Sequence, residues 1–178
     1  MFDPTHDITG ETLRFSYGIT ALGTIIVAES VRGVAALFIG DDRARLLRDL
    51  QDAFPSAKLI LDEAGLEQTA AKAAALVDAP YRATDLALDL RGSPMEVAVW
   101  KALQQVPPGE TRSYGAVAKA LPIAATAQDI GAACAANRIA VAVPCHRVVK
   151  ADGSISGYRW GVQRKRRLIN MEGLVLMA

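Results

Sequence analysis

Cys145 is the most reactive side chain this sequence offers, and its setting is unusual. It lies between Pro144 and His146, directly after the apolar run Ile139–Val143, with Arg147-Val148 following. A free thiol has a pKa of about 8.5, so near neutrality it stays mostly protonated unless neighbours favour the anion. A histidine within reach can take that proton, and a carboxylate behind the imidazole can hold and stabilise it. Glu172 is a candidate carboxylate, although sequence distance does not place it. Taken alone, the pair fits a buried inert cysteine beside an exposed histidine just as well. Zinc is disfavoured, because the chain has two Cys and two His without ligand spacing, and no metal is expected. His6 reads as a bystander. A Cys134–Cys145 disulfide is not expected in the reducing compartment that two cysteines suggest.

These groups must be positioned by the elements around them. The chain has 178 residues, 51% hydrophobic and 22% charged, which is enough for a substantial core in one large domain or two small ones. Its apolar runs are too short to span a bilayer, and Asp3, Asp7 and Glu11 do not suit a signal peptide. A soluble cytosolic protein is expected. In residues 1–91, Leu13–Ile19 alternates like a half-buried strand. Gly23–Glu29 and Val34–Ile39 read as two more strands. Asp41 or Asp42 caps a helix to about Phe54, Lys58–Leu61 is a short strand, Glu63–Val77 a second helix, and Leu86–Leu90 a closing strand. This half reads as a small α/β structural domain.

Arg91-Gly92 is the expected junction with residues 92–178. Ser93-Pro94-Met95-Glu96 opens a helix with a capping box and proline at the first helical position. Val97, Trp100 and Leu103 share one face of it. Ser113 caps Tyr114–Leu121, and Thr126 starts a helix through about Ala136, which together outline a helix-turn-helix. Ile139–Val143 reads as a buried strand. Charge is divided unevenly. The first half has 9 Lys/Arg against 14 Asp/Glu, and the second 11 against 5. Seven of the basic residues fall in Arg147–Arg167, a pattern that suits a polyanion partner or simply a solvated helix face.

Pro144-Cys145-His146-Arg147-Val148 after Asn137, together with Ser113-Tyr114, the small-sided helix segment Gly131-Ala132-Ala133-Cys134-Ala135-Ala136, Gly157-Tyr158-Arg159-Trp160-Gly161 and Glu172-Gly173, resembles the O6-alkylguanine-DNA alkyltransferases. The resemblance is strong over Ser93–Gly173. More loosely, the acidic half is similar to the N-terminal part of the alkyltransferase portion of bacterial adaptive-response (Ada) proteins. It implies an α/β fold with a small ribonuclease H-like N-terminal subdomain (1–91) and a mostly helical, DNA-binding C-terminal subdomain (92–178). It also implies irreversible transfer of an alkyl group from O6-alkylguanine, and from O4-alkylthymine, in duplex DNA to Cys145, once per chain and without a cofactor. The damaged base would be flipped out of the stack to be reached. By motif position, His146 takes the thiol proton through a water, backed by Glu172, while Asn137 supports the turn and Tyr114 donates to the base. Ala127, Gln128, Ala132, Ala135, Arg138 and Tyr114 would meet DNA; Val148, Tyr158, Arg159 and Lys165 would surround the base. A cytoplasmic bacterial monomer, working on nucleoid DNA and not on membranes, is the matching expectation.

One position departs from the family pattern. Gln128 stands where an arginine usually fills the space left by the flipped base, and Asp129 beside it should be repelled by phosphates. Weaker DNA engagement is therefore expected, with Arg138 or Arg112 as the available compensating charges. An alternative that follows is a module that senses alkylated DNA with weak or no transfer. A thiol hydrolase or redox enzyme is a third reading, for which no substrate pocket is legible.

Overall fold

The computed structural model describes residues 10–177, so His6 lies outside it. Strands β1 (Thr12–Thr20), β2 (Gly23–Glu29) and β3 (Val34–Gly40) form an antiparallel meander. Helix α1 (Arg43–Ala53) follows, with the Asp42 carboxylate accepting from Ala44 N at 2.9 Å. Strand β4 (Lys58–Leu61) then returns parallel to β1, giving the sheet order β3-β2-β1-β4. Helix α2 (Glu67–Asp78) begins four residues later than its composition suggests. Asp62 first ties down a turn by accepting from Gly65 N, and the chain enters the helix only after it.

Helix α3 (Pro94–Leu103) starts at the expected capping box, with Ser93 N donating to Glu96 and Glu96 N to Ser93. Its fully buried residues are Val99, Trp100 and Leu103, with Val97 only partly covered. A two-residue strand β5 (Arg112–Ser113) leads into α4 (Tyr114–Ala120), and after a six-residue connection comes α5 (Ala127–Ala136). The indole of Trp100 donates to the Ala133 carbonyl at 2.8 Å, holding α3 against α5. Gly92 makes room for that ring, since a Cβ there would lie 2.6 Å from Trp100. Strand β6 (Val148–Val149) pairs with β5, and α6 (Val162–Met177) closes the chain.

Two segments expected as strands are not strands. Leu86–Leu90 makes a single bridge, Leu88 to Val34. Ile139–Val143 makes one bridge, Ile139 to Leu37, and then coils tightly. Both are apolar because they cover the sheet edge, not because they extend it. The coil turns at Val141, whose φ of 67° is unusual for a β-branched residue, with Ala142 N donating to Ala140 O at 2.7 Å. A second tight turn at Pro144 delivers Cys145 into one turn of 3₁₀ helix, Cys145–Arg147. A single hydrophobic core runs through both halves of the chain, from Leu13 and Phe38 to Trp100, Cys145 and Leu168.

Candidate active site

Cys145 is buried, and a cavity of about 450 Å³ opens onto it. Tyr114 on α4, Gly131, Cys134 and Ala135 on α5, and the loop Gly157-Tyr158-Arg159 complete the wall. The loop is held from beneath by the sheet: Trp160 packs on Phe38 of β3 and, edge-on, on Tyr158. Asn137, at the end of α5, ties the thiol's turn together. Its amide donates to Val143 O at 3.0 Å and to the Cys145 Sγ at 3.2 Å, while its side-chain oxygen accepts from Ile139 N. Arg159 in turn donates to the Asn137 carbonyl at 2.7 Å.

Burial pushes the Cys145 thiol up to about 11, against the Asn137 hydrogen bond and the nearby charges of Lys165 and Arg159. The second thiol, Cys134, is pushed further, to about 12. Cys145 is thus the better anion of the two.

Behind the thiol lies a fully buried pair. His146 Nε2 and Glu172 Oε1 are 2.8 Å apart. Burial lowers the imidazole's pKa, outweighing the pull of Glu172, so at neutral pH the ring is uncharged. The carboxylate then fixes the proton on Nε2 and leaves Nδ1 as the acceptor. Nδ1 has no hydrogen-bond partner among the described residues, nor has the Tyr158 hydroxyl on the cavity wall; both belong to this site. Buried polar atoms are nearly always paired, and these two are the side-chain exceptions among the described residues.

Glu172 carries more than histidine. Arg147 donates to both its oxygens, at 2.8 to 3.1 Å, and also to the carbonyls of Val106 and Pro80. Burial would push the Glu172 carboxyl up, but hydrogen bonds from His146 and Arg147 prevail and hold it below its ordinary range. On the other side, Tyr114 Oη and Ser156 Oγ share a short hydrogen bond, and Lys165 Nζ donates to Ser156 Oγ at 3.0 Å.

Most of the expected site residues converge, with corrections. Tyr158 and Arg159 line the cavity, and Lys165 reaches it through Ser156. Val148 does not line it; its side chain is buried in the core beneath the β5/β6 ladder. Ala127, Gln128, Ala132 and Ala135 are exposed along α5. Arg138 is engaged elsewhere, its guanidinium over Phe54 and bonded to the Arg91 carbonyl. Arg112 is paired with Glu110. The basic stretch Arg147–Arg167 is not one charged face either. Arg147 and Lys165 are buried, Arg164 is half-buried and bonded to backbone carbonyls, and Lys150, Arg159, Arg166 and Arg167 are exposed, with Arg159 also bonded to the Asn137 carbonyl.

Asp129 serves the helix it sits on. Its carboxylate accepts from Thr126 N at 2.8 Å, and the Thr126 hydroxyl accepts from Asp129 N. The pair is a capping box, with the signature Thr-x-x-Asp in the sequence. Thr126→Ala is expected to lose about 1 kcal/mol in urea titration, by releasing the first turn of α5. Sequence reasoning misses Ser156, Cys134 and Arg147 as site residues. Arg147 stands inside the Pro144–Val148 motif and Cys134 on the small-sided helix, but the partners that give Arg147 and Ser156 their place in the site lie on other elements.

Among the described residues, no cluster of His, Cys, Asp and Glu could hold a metal ion, and no helix is long and apolar enough to cross a membrane.

Fold and cavity together define a class: mixed α/β proteins that present a buried thiol to a pocket between a helix pair and a loop. Residues 94–174 match the family described as 6-O-methylguanine DNA methyltransferase, DNA binding domain. The chain is 41% identical over 165 residues to the bifunctional transcriptional activator/DNA repair enzyme Ada of Escherichia coli, covering 92% of this chain but only 47% of that protein. It is 30% identical over 149 residues to the inducible methylated-DNA–protein-cysteine methyltransferase of Bacillus subtilis, covering 82% of each. Among solved structures, Mycobacterium tuberculosis OGT in complex with DNA superposes with a TM-score of 0.69 at 30% identity, over 92% of this chain and 93% of that one. The chain belongs to the methylated-DNA–protein-cysteine methyltransferase family.

Proposed function

We propose that this protein repairs DNA by moving the alkyl group of O6-alkylguanine, and of O4-alkylthymine, onto Cys145, once per chain. The observation that carries the reading is the pairing of a buried thiol on an apolar cavity with a neutral, carboxylate-held imidazole whose Nδ1 is free to accept. In the reaction the Sγ–CH₃ bond forms and the O6–CH₃ bond breaks. The thiol proton passes through solvent to His146, and the electron pair of the broken bond goes to the guanine ring. Tyr114 donates to that ring as its charge grows. Glu172 stabilises the imidazolium that forms. The thioether product has no leaving group to expel, which makes the transfer final.

Helices α4 and α5 would act as a helix-turn-helix whose exposed alanine face (Ala127, Ala132 and Ala135) lets the backbone approach the minor groove. Gln128, exposed at the start of α5, would fill the gap left by the flipped base without adding charge. Residues 1–91 would form a ribonuclease H-like subdomain and 92–178 the reactive one, in a cytoplasmic monomer.

The test is intact mass after incubation with duplex DNA containing O6-methylguanine, followed by peptide mapping. One methyl group on Cys145, saturating at one per chain, is expected. Benzylation by free O6-benzylguanine, without methylation by the duplex, would mean that the chemistry is intact and DNA engagement is lost. No uptake from either overturns transfer and leaves a lesion-sensing module.

A further inference from the structure

Lys165 is 1% exposed, and among the described residues no carboxylate contacts it. Its ammonium is held by Ser156 Oγ at 3.0 Å and the Gly157 carbonyl at 3.4 Å. A buried cation without a counter-ion is costly, so its retention calls for a use of the charge. Ser156 shows where the charge goes. Among the described residues its hydroxyl has two partners, Lys165 Nζ and Tyr114 Oη. An ammonium has no lone pair and can only donate to Ser156. Of the two directions open to the Ser156–Tyr114 hydrogen bond, the one in which serine donates leaves the Tyr114 proton for the cavity that its ring lines.

We propose that Ser156 is a positioning residue that links Lys165 to Tyr114, polarising the tyrosine hydroxyl toward the base that leaves during alkyl transfer. This rests on the alkyl-transfer reading above. As the O6–carbon bond breaks, the ring takes the Tyr114 proton. Tyr114 takes that of Ser156, Ser156 takes one from Lys165, and Lys165 ends as a neutral amine. His146 has meanwhile gained the thiol proton, so the charge is conserved, and solvent exchange afterwards restores both side chains. Chains of hydrogen bonds strengthen one another in a dry site, which gives a serine one step removed from the substrate leverage over it. Serine and lysine meet here only because the loop before Gly157 crosses the first turns of α6; neither is near Tyr114 in sequence.

The experiment is single-turnover methyl transfer from O6-methylguanine duplex, with duplex affinity measured in parallel. Four variants of the intact chain are compared with the parent: Ser156→Ala, Ser156→Thr, Tyr114→Phe and the Ser156→Ala/Tyr114→Phe double. The transfer rate at saturating DNA is expected to fall on the order of tenfold in Ser156→Ala, with affinity within about twofold. Thr should restore most of the rate, and Ser156→Ala should add nothing once Tyr114 is Phe. A purely structural serine would lower the rate in both backgrounds, and that result overturns the proposal. So does an unchanged rate in Ser156→Ala. If the parent protein takes up no alkyl group from the duplex or from free O6-benzylguanine, it is the alkyl-transfer reading that fails, and the proposal falls with it.

Discussion

Arg147→Met is expected to cost about 3–5 kcal/mol of folding stability in urea titration, the range for breaking a buried ion pair from one side. The side chain is 8% exposed and serves a carboxylate and two carbonyls. Methionine would fill the volume but leave Glu172 charged in an apolar setting. The double variant Arg147→Met/Glu172→Leu should recover part of the loss, because it removes the orphaned charge. Recovery should be incomplete, since Glu172 also serves His146 and the Gly109 amide. A loss below about 1 kcal/mol in the single variant would mean the pair is not buried in solution. The same cluster sets an acid limit. The buried imidazole resists protonation that an unfolded histidine accepts near 6.5. Its contribution is therefore complete above that pH and declines as pH falls below it. Glu172, depressed in the fold, adds a second loss below the ordinary carboxylate range. His146→Gln should abolish the first decline and keep the second.

The second large effect concerns thiol chemistry without DNA. With its pKa raised from 9.0 to about 11, Cys145 should react with a small alkylating reagent about a hundredfold more slowly at pH 7 than an unperturbed thiol. Its rate should climb roughly tenfold per pH unit across about pH 7–9.5, because each unit releases ten times more anion. Cys134 should be slower still. Mass-resolved labelling of the two tryptic peptides checks both. Fast labelling of Cys145 at pH 7 with a flat pH profile would show a resident thiolate, as in a cysteine hydrolase. The slow outcome suits a group that is spent once. A standing thiolate would be consumed by any passing electrophile, whereas a thiol that ionises only when an imidazole takes its proton is kept for the intended one.

How much of this is legible in the sequence depends on where each partner sits. Ser93 and Glu96 form a cap within four residues, and the helix they start is found where they predict it. Lys58–Leu61 is a strand as expected, and the fold brings Glu172 against His146, the neighbour of Cys145 in the chain. Errors arise where apolar composition has two causes. Leu86–Leu90 and Ile139–Val143 are rich in strand-forming residues, yet each touches the sheet at one point, and periodicity does not distinguish covering an edge from extending it. By composition Arg147 and Lys165 belong to a basic run, and only the resemblance places Lys165 by the base; their burial and their partners come from the fold. Asp129 looks like an obstacle to DNA, when its first use is to cap α5.

The pairing of Leu37 with the stretch just before the thiol's turn has a practical consequence. Leu37 N donates to Arg138 O, and Ala140 N to Leu37 O, both at 2.9 Å, while Phe38 supports the ring of Trp160. The thiol is thus sprung from a strand of the acidic half, although every residue that lines its cavity comes from the basic half. Chemistry and foundation belong to different segments, so the reactive segment is not a portable cassette. Grafted alone onto another scaffold, it would keep every residue of its signature and lose the floor that holds them in register.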